Sequence, residues 1–276
     1  MTFQPGHFDS SRCRALYEEK LKPTLLGYKP FLAYDDRSEF YVRMLGECGV
    51  LHPARHLVDL GAGLSVFGLL CRAHGMNVSL VDDFGGGGGM QAGQAMEDIP
   101  LLGLLESQFG LRIVRQNFLE QAQPFPDASV DAVTSIHSLE HWHHSPRRLF
   151  QEIVRVLKPG GILVLITPNA VNLRKRVFVL LGRSNLPTLR EWYHDGDPVF
   201  RGHVREPVVR DLHELMRWNG LEVVATHGRS FMGRNSEALS FLPAPLVDAL
   251  AAGSDFVLRL FPALCSDLHV IGRKSA

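Results

Sequence analysis

An aspartate inside an apolar stretch is the first residue whose placement suggests chemistry. Asp59 stands in "HLVDL" (56–60), a predicted buried strand, and is followed by Gly61 and Gly63. A buried carboxylate loses its hydration unless it gains a partner, and glycines after a strand let the backbone approach a ligand closely. The sequence therefore predicts a ligand-binding loop directly after this strand.

A second carboxylate is predicted to serve the same ligand. Asp82 ends the next predicted strand, "NVSLVDD" (77–83), where a doubly wound sheet places the acid that accepts both hydroxyls of a ribose. Val66 stands where a dinucleotide-binding fingerprint would need its third glycine. These residues favour a nucleoside that carries a charged amino-acid tail over a dinucleotide. Asp83 takes the ribose role instead if the strand ends one residue later.

Five consecutive glycines (85–89) follow the same strand and form another candidate loop. They lack the Lys-Ser or Lys-Thr pair that completes a phosphate-binding loop. We interpret the run as a loose connection to the next helix, with a mobile flap beside the ribose as the alternative.

Histidines cluster in "HSLEHWHH" (137–144), where His137, Glu140 and His141 follow the H-x-x-E-H order of some zinc enzymes. Such a site needs both rings on one helical face and a third ligand, and Pro146 argues against a continuous helix here. The sequence therefore predicts no metal site, and Glu140 is expected to tie a turn. His141 and His137 are the candidates for a general base, because imidazole titrates near neutral pH. A histidine that is merely bonded into a turn is the alternative for each.

The order of elements predicts the fold class. Strands and helices alternate along 55–276 with short links, and the strands are near-continuous apolar runs. This pattern predicts an α/β fold with a Rossmann-like, doubly wound sheet that is mostly parallel and has an antiparallel last strand. Residues 1–54 are predicted to form an N-terminal helical cap. Two insertions, at about 170–204 and 230–265, are predicted to be lids or packing elements.

The stretch 189–206, which includes the end of the first insertion, concentrates aromatic and polar residues, which suits a substrate lid. The alternative is that the aromatic rings only cover the sheet. The candidates for contact with the substrate are Trp192, Tyr193, His203 and Arg205.

Composition excludes several classes of protein. Lys plus Arg and Asp plus Glu number 29 each, so the overall charge favours neither nucleic acid nor an anionic membrane. The four cysteines are scattered, which argues against a disulfide scaffold. The N-terminal stretch lacks the apolar core of a signal peptide, and prolines and charges interrupt the late apolar stretch 238–264. We therefore expect a soluble cytoplasmic protein with no nucleic-acid partner and no stable membrane insertion; its oligomeric state is not predicted.

Longer motifs resemble those of the class I S-adenosylmethionine-dependent methyltransferases, particularly the small-molecule branch that modifies quinones and sugars. The resemblance covers about 55–230, and its motifs are "VDLGAG" (58–63), "LVDD" (80–83), "PFPDASVDAV" (124–133), "SLEHWHHSPRRLFQEIVRVLKPGGILVLITPN" (138–169) and "GHVREPVVRDLHELMRWNGLEVV" (202–224).

The resemblance implies S-adenosyl-L-methionine as the cofactor and assigns residues to it. Its methionine end would be surrounded by Asp59, Gly61, Ala62 and Gly63, and its ribose would be held by Asp82 or Asp83. Its adenine would be flanked by Asn117 and Phe118, and the other side of the cofactor would be lined by Ser135 and Ile136.

The expected activity is in-line methyl transfer to oxygen on a small-molecule, lipid or glycan acceptor, with His141 or His137 as the base. Two alternatives remain open. In the first alternative, the chain would be a catalytically silent binding subunit with the methyltransferase fold. In the second, it would be a nicotinamide-dependent oxidoreductase, which Val66 disfavours.

Overall fold

A computed structural model of the chain describes residues 8, 10–24, 36–64, 66–84, 100–194, 199–200, 202–230 and 243–276. The five-glycine run at 85–89 lies outside the described residues, so its predicted role is untested. Parts of the two predicted insertions, 195–198, 201 and 231–242, also lie outside them.

Seven strands form one hydrogen-bonded sheet in the order β3-β2-β1-β4-β5-β7-β6. β1 pairs in parallel with β2 and β4, and β2 pairs in parallel with β3, whereas β7 is antiparallel to both β5 and β6. The strands are β1 His56–Leu60, β2 Asn77–Asp82, β3 Arg112–Arg115, β4 Val130–Ile136, β5 Leu157–Pro168, β6 Leu221–Arg229 and β7 Asp267–Lys274. The predicted fold class, including the antiparallel last strand, is confirmed.

The position of β1 determines where a ligand is expected. β1 lies between β2 and β4: the chain runs from β1 through β2 to β3 toward one edge of the sheet and then crosses back to β4 on the other side of β1. Ligands of doubly wound sheets bind beyond the carboxyl ends of the strands at this switch point. The residues that end β1 and β2 are therefore the first place to look for a site.

The helices follow the alternation that the sequence predicts. α1 runs through a π-helical turn, Tyr17–Leu21, into α2. The helices are α1 Ser10–Leu16, α2 Lys22–Thr24, α3 Asp36–Glu47, α4 Val66–Ala73, α5 Pro100–Phe109, α6 Arg147–Val156, α7 Leu173–Leu180, α8 Leu189–Tyr193, α9 Val209–Trp218 and α10 Ala244–Leu258.

One predicted turn lies inside a strand. The sequence predicts that Pro159, Gly160 and Gly161 lead into the fifth strand, but β5 already begins at Leu157. Gly160 takes a left-handed φ of 76°, and a Cβ on Gly161 would lie 2.9 Å from the carbonyl oxygen of Lys158. The glycines therefore lie within the strand instead of preceding it, at backbone positions that favour glycine.

The described residues group into two compact units. The first includes residues up to 84, 100–134 and 147–161, and the second includes 135–146 and the described part of 162–276. The predicted boundary between a cap and a catalytic domain at 54/55 stays a prediction. No helix in the described ranges is long and apolar enough to cross a membrane.

Candidate cofactor site and histidine cluster

Asp59 is a buried carboxylate near the end of β1, in the first unit. Its side chain is 2% exposed, and Thr134 Oγ1 of the neighbouring strand donates a 2.6 Å hydrogen bond to its Oδ1. Burial raises the pKa of Asp59 to about 7, the bond from Thr134 opposes this, and nearby Asp82 adds to it. The carboxylate is thus held without a cation among these contacts, which makes a positively charged ligand favourable here.

The loop after β1 turns back over the end of β2. Gly61 has a φ of 66° and donates its N–H to Val81 O at 2.8 Å, while Ala62 N–H reaches the same oxygen at 3.4 Å. Gly63 also has a left-handed φ, 48°, and a Cβ there would meet nothing within 4 Å. The two glycines are needed for the backbone conformation, and the space beside Gly63 is open to a ligand.

Asp82 joins this loop to β2. Its Oδ2 accepts the N–H of Gly63 at 2.9 Å, and its Oδ1 accepts the N–H of Phe84 at 2.7 Å. Burial raises the pKa of Asp82 to about 6, these two N–H groups oppose the rise, and Asp83 adds to it. Each carboxylate oxygen keeps a lone pair for a further donor, such as a ribose hydroxyl.

The structure separates the two candidate ribose acids. β2 ends at Asp82, whose carboxylate holds the loop, whereas the side chain of Asp83 is exposed. The geometry therefore favours Asp82 for the ribose, and this role stays a prediction.

Asn117 and Phe118 follow β3, next to the end of β2. Gln116 N–H donates to Asp82 O at 3.0 Å, which fixes this segment against β2. Asn117 Oδ1 accepts the N–H of Leu119 at 3.1 Å, so its side-chain NH₂ is the group suited to bond a ligand. Phe118 is buried and packs as part of the core, which limits the ring surface that it can offer to an adenine.

Ser135 and Ile136 are the last residues of β4 and belong to the second unit. Ser135 is fully buried, and its Oγ has no hydrogen-bond partner within the described part of the chain. A buried hydroxyl without a partner suits a polar ligand at this strand end.

The histidine motif forms a turn instead of a helix, as the sequence predicts. His137 has a left-handed φ of 49° and donates its N–H to Ile166 O at 2.8 Å. Only a 3₁₀ turn, Leu139–His141, follows it. Glu140 is 1% exposed; Thr167 Oγ1 donates to its Oε2 at 3.2 Å, and His137 Nδ1 lies 3.6 Å from its Oε1.

His203, predicted to contact the substrate, lies against His141. The two ring centroids are 4.8 Å apart and the rings are nearly perpendicular. His203 Nδ1 lies 2.8 Å from Glu206 Oε1, and Lys175 contacts the other oxygen of that carboxylate. Burial alone would raise the pKa of Glu206, but the bonds from His203 and Lys175 hold it below its usual value.

Sequence reasoning missed the partners of these histidines. The three-residue spacing between His203 and Glu206 was the available signal for their pair. The pairing of His203 with His141 had no local signal, because these residues are far apart in the chain.

The other substrate candidates have exposed side chains. Trp192 and Tyr193 end α8, are 60% and 73% exposed, and Tyr193 packs on His194 at a centroid distance of 5.0 Å. Arg205 is exposed as well. Their roles toward a substrate stay predictions.

The site formed by the carboxyl ends of β1 and β2 fits S-adenosylmethionine better than a dinucleotide. Asp82 retains acceptor capacity for ribose hydroxyls, the space at Gly63 is open, and Asp59 and Asp82 have raised pKa values that a cation would relieve. Val66 is buried in α4, so the third glycine of a diphosphate-binding loop is absent from this helix.

Comparisons with known proteins give the same family. A family model described as a methyltransferase domain matches residues 30–226. A probable S-adenosylmethionine-dependent methyltransferase of Mycolicibacterium smegmatis is 34% identical over 106 residues, 38% of this chain and 34% of that protein. The sterol 24-C-methyltransferase ERG6B of Gibberella zeae is 31% identical over 160 residues, 58% of this chain and 35% of that protein. The chain thus spans about a third of the length of these curated relatives.

A solved structure supports the fold. The S-adenosylmethionine-dependent methyltransferase of Archaeoglobus fulgidus superposes with a TM-score of 0.51 at 17% identity, over 91% of this chain and 99% of that one. The family model covers well over half of the chain. The chain therefore belongs to the methyltransferase domain family.

Proposed function

We propose that the protein transfers a methyl group from S-adenosylmethionine to an oxygen atom of a small-molecule, lipid or glycan acceptor. The observation that carries the proposal is the bond from Gly63 N–H to Asp82, which ties the loop after β1 to a carboxylate with capacity for ribose hydroxyls. When bound, the cofactor supplies a methyl group on a positively charged sulfur.

The acidic residues of the first unit would bind this cofactor. Asp82 would accept its ribose hydroxyls, and Asp59 would offset its positive charge through the field of a buried carboxylate. Asn117 would donate to the adenine, while Gly61, Ala62 and Gly63 shape the loop. Most of the catalytic effect of such a site comes from holding two reactants in line.

An acceptor hydroxyl must also lose its proton, and the histidines of the second unit are the groups suited to assist. We propose His141 for this step, with His137 as the second candidate. The structure adds His203, because a histidine next to a possible base that is itself oriented by a carboxylate, Glu206, resembles the base-and-orienter arrangement of known catalytic sites.

Methyl-labelled cofactor and a panel of acceptors test the activity. The panel contains phenols, hydroxyquinones, sugars and sterols, because one curated relative is named as a sterol methyltransferase. Labelled product together with S-adenosylhomocysteine is the expected outcome. If calorimetry detects no binding of S-adenosylhomocysteine to the unmodified protein, the proposal is wrong.

A histidine pair separates the proposed proton step from general damage. His141→Ala should lower turnover about 100-fold, the usual scale of acid–base assistance, and leave the affinity for S-adenosylhomocysteine unchanged. His143→Ala, at an exposed position two residues later, is the matched control and should retain the full rate. An unaltered rate in His141→Ala would remove His141 from this role.

A further inference from the structure

Glu140, His141 and His203 form a cluster with the composition of a metal site. Each offers one ligand atom, and these three atoms lie within 4.8 Å of one another. Ligands about 2.0–2.2 Å from a zinc ion are separated by roughly 3.4 Å, so small side-chain rotations would bring the three to bonding distance. His203, from a distant segment, supplies the third ligand that such a site requires.

The main chain holds the cluster together. The N–H groups of Val204 and Arg205 both donate to Glu140 O, at 2.8 and 3.3 Å. The segment that carries His203 is therefore bonded directly to the turn that carries Glu140 and His141. Preorganisation of this kind lowers the entropy that the side chains lose when they bind an ion.

The outer partners are those that metal ligands use. Glu206 bonds Nδ1 of His203 at 2.8 Å, which leaves Nε2 as the ligand nitrogen, and ligating histidines commonly donate their other ring nitrogen to a carboxylate. Thr167 Oγ1 donates to Oε2 of Glu140. Each of these two ligands thus has a partner that fixes its orientation.

Glu140 itself requires a positive partner. Its side chain is 1% exposed, and buried carboxylates are paired with cations or coordinate metals. The closest basic nitrogen that contacts it in the described part of the chain is His137 Nδ1 at 3.6 Å, which is longer than a hydrogen bond. A bound cation would stabilise this carboxylate more directly.

We propose that Glu140, His141 and His203 bind one divalent transition-metal ion, with zinc as the preferred ion. Two imidazoles and one carboxylate form a donor set that zinc accepts, and three protein ligands leave one position for an oxygen atom of the acceptor. The role in methyl transfer rests on the proposed function. The ion would lower the pKa of the bound hydroxyl, and the proton would pass to His137, the second candidate base, because His141 would act as a ligand.

Direct metal binding tests the site without an activity assay. Full-length protein made without a histidine tag and stripped with a chelator is titrated with Zn²⁺ by calorimetry and with Co²⁺ by visible absorption. One equivalent of each should bind. His141→Ala and His203→Ala should weaken binding at least about 100-fold, and Glu206→Gln about 10- to 100-fold.

Neighbouring histidines provide the controls. His143→Ala and His144→Ala remove exposed rings from the same segment and should bind the ion like the unmodified protein. Glu140→Gln is a further variant; if it does not fold, His203→Ala, whose ring is 36% exposed, keeps the test decisive. Unchanged affinity for S-adenosylhomocysteine in His203→Ala verifies its fold.

The outcomes separate this inference from the proposed function. The inference of a metal site is wrong if the unmodified protein binds no stoichiometric ion, or if the control variants lose as much affinity as His203→Ala. The proposal that the protein transfers a methyl group would still stand in that case. If the ion binds as expected but S-adenosylhomocysteine does not, the metal site stands and the proposed function fails.

Discussion

Two buried aspartates, at opposite ends of the neighbouring parallel strands β1 and β4, have opposite electrostatic surroundings. Asp131, near the start of β4, is 2% exposed and contacts Arg55, the N–H of His56 at 2.9 Å and Lys158 Nζ at 2.7 Å. Asp59, near the end of β1, is buried to the same extent, but its bonded partner is the hydroxyl of Thr134.

The pKa values reflect this difference. Burial alone would raise the pKa of Asp131, but the bonds from His56, Lys158 and Arg55 outweigh it and keep the pKa below its usual value. For Asp59 burial dominates, and the pKa rises to about 7. The first carboxylate stabilises the fold in its charged form, whereas the second is destabilising in that form until a ligand supplies positive charge. The comparison thus separates a structural end of the sheet from the end at which we propose that the cofactor binds (the binding end).

The largest expected effect is at the binding end. Asp82→Ala removes the acceptor of the ribose hydroxyls and the anchor of Gly63, so the affinity for S-adenosylhomocysteine should fall on the order of 1,000-fold, about 4 kcal/mol. Isothermal calorimetry measures this directly. A loss of less than about tenfold would contradict the assignment of Asp82 to the cofactor.

At the structural end, Asp131→Asn should lower the free energy of unfolding by about 2–4 kcal/mol, because it leaves the charges of Arg55 and Lys158 without their shared partner. Urea denaturation measures the change. The matched control is Asp127→Asn, which removes an exposed aspartate from its ion pair with Arg155 and should cost less than about 1 kcal/mol. Cofactor affinity should remain unchanged in both variants.

Asp59→Asn sharpens the comparison through pH. Because the folded pKa of Asp59 is raised, its stabilising contribution is present below the unfolded pKa of about 4 and is lost as pH rises through about 7. The free energy of unfolding of Asp59→Asn, relative to that of the unmodified protein, should therefore be roughly 2–3 kcal/mol higher at pH 8 than at pH 5. Denaturation curves at both pH values measure this gain; a constant difference would show that Asp59 does not titrate in this range.

The smallest expected effect concerns Asp83. Its side chain is exposed, so Asp83→Asn should change the affinity for S-adenosylhomocysteine by less than about threefold. The same calorimetric titration measures it beside Asp82→Ala. A loss equal to that of Asp82→Ala would assign the ribose to Asp83.

The positions of the residues at the binding end were largely predictable from sequence, because their signals are local; their roles toward the cofactor stay predictions. A polar residue in an apolar strand, two glycines after it and an acid at the end of the next strand all act within a few residues of one another. The parallel strands were equally predictable, since strands covered on both faces are continuous apolar runs. The location of Gly160 and Gly161 inside β5 was not predictable, because a turn signal inside a strand looks the same as one before it.

The histidine cluster was only half predictable. The sequence singled out His137 and His141, but the contact with His203 and the orientation of His203 by Glu206 depend on how distant segments pack. The burial of Glu140 likewise follows from tertiary structure and leaves no local pattern.

The two hydrogen bonds that the carbonyl oxygen of Glu140 accepts determine which substitutions positions 204 and 205 tolerate. Because both donors are main-chain groups, the side chains at 204 and 205, which are exposed, can vary without releasing the segment from the turn. Substitutions at these two positions therefore leave the segment that carries His203 bonded to the turn that carries His141. Proline is the one residue type that this arrangement forbids at both positions, since it has no N–H to donate.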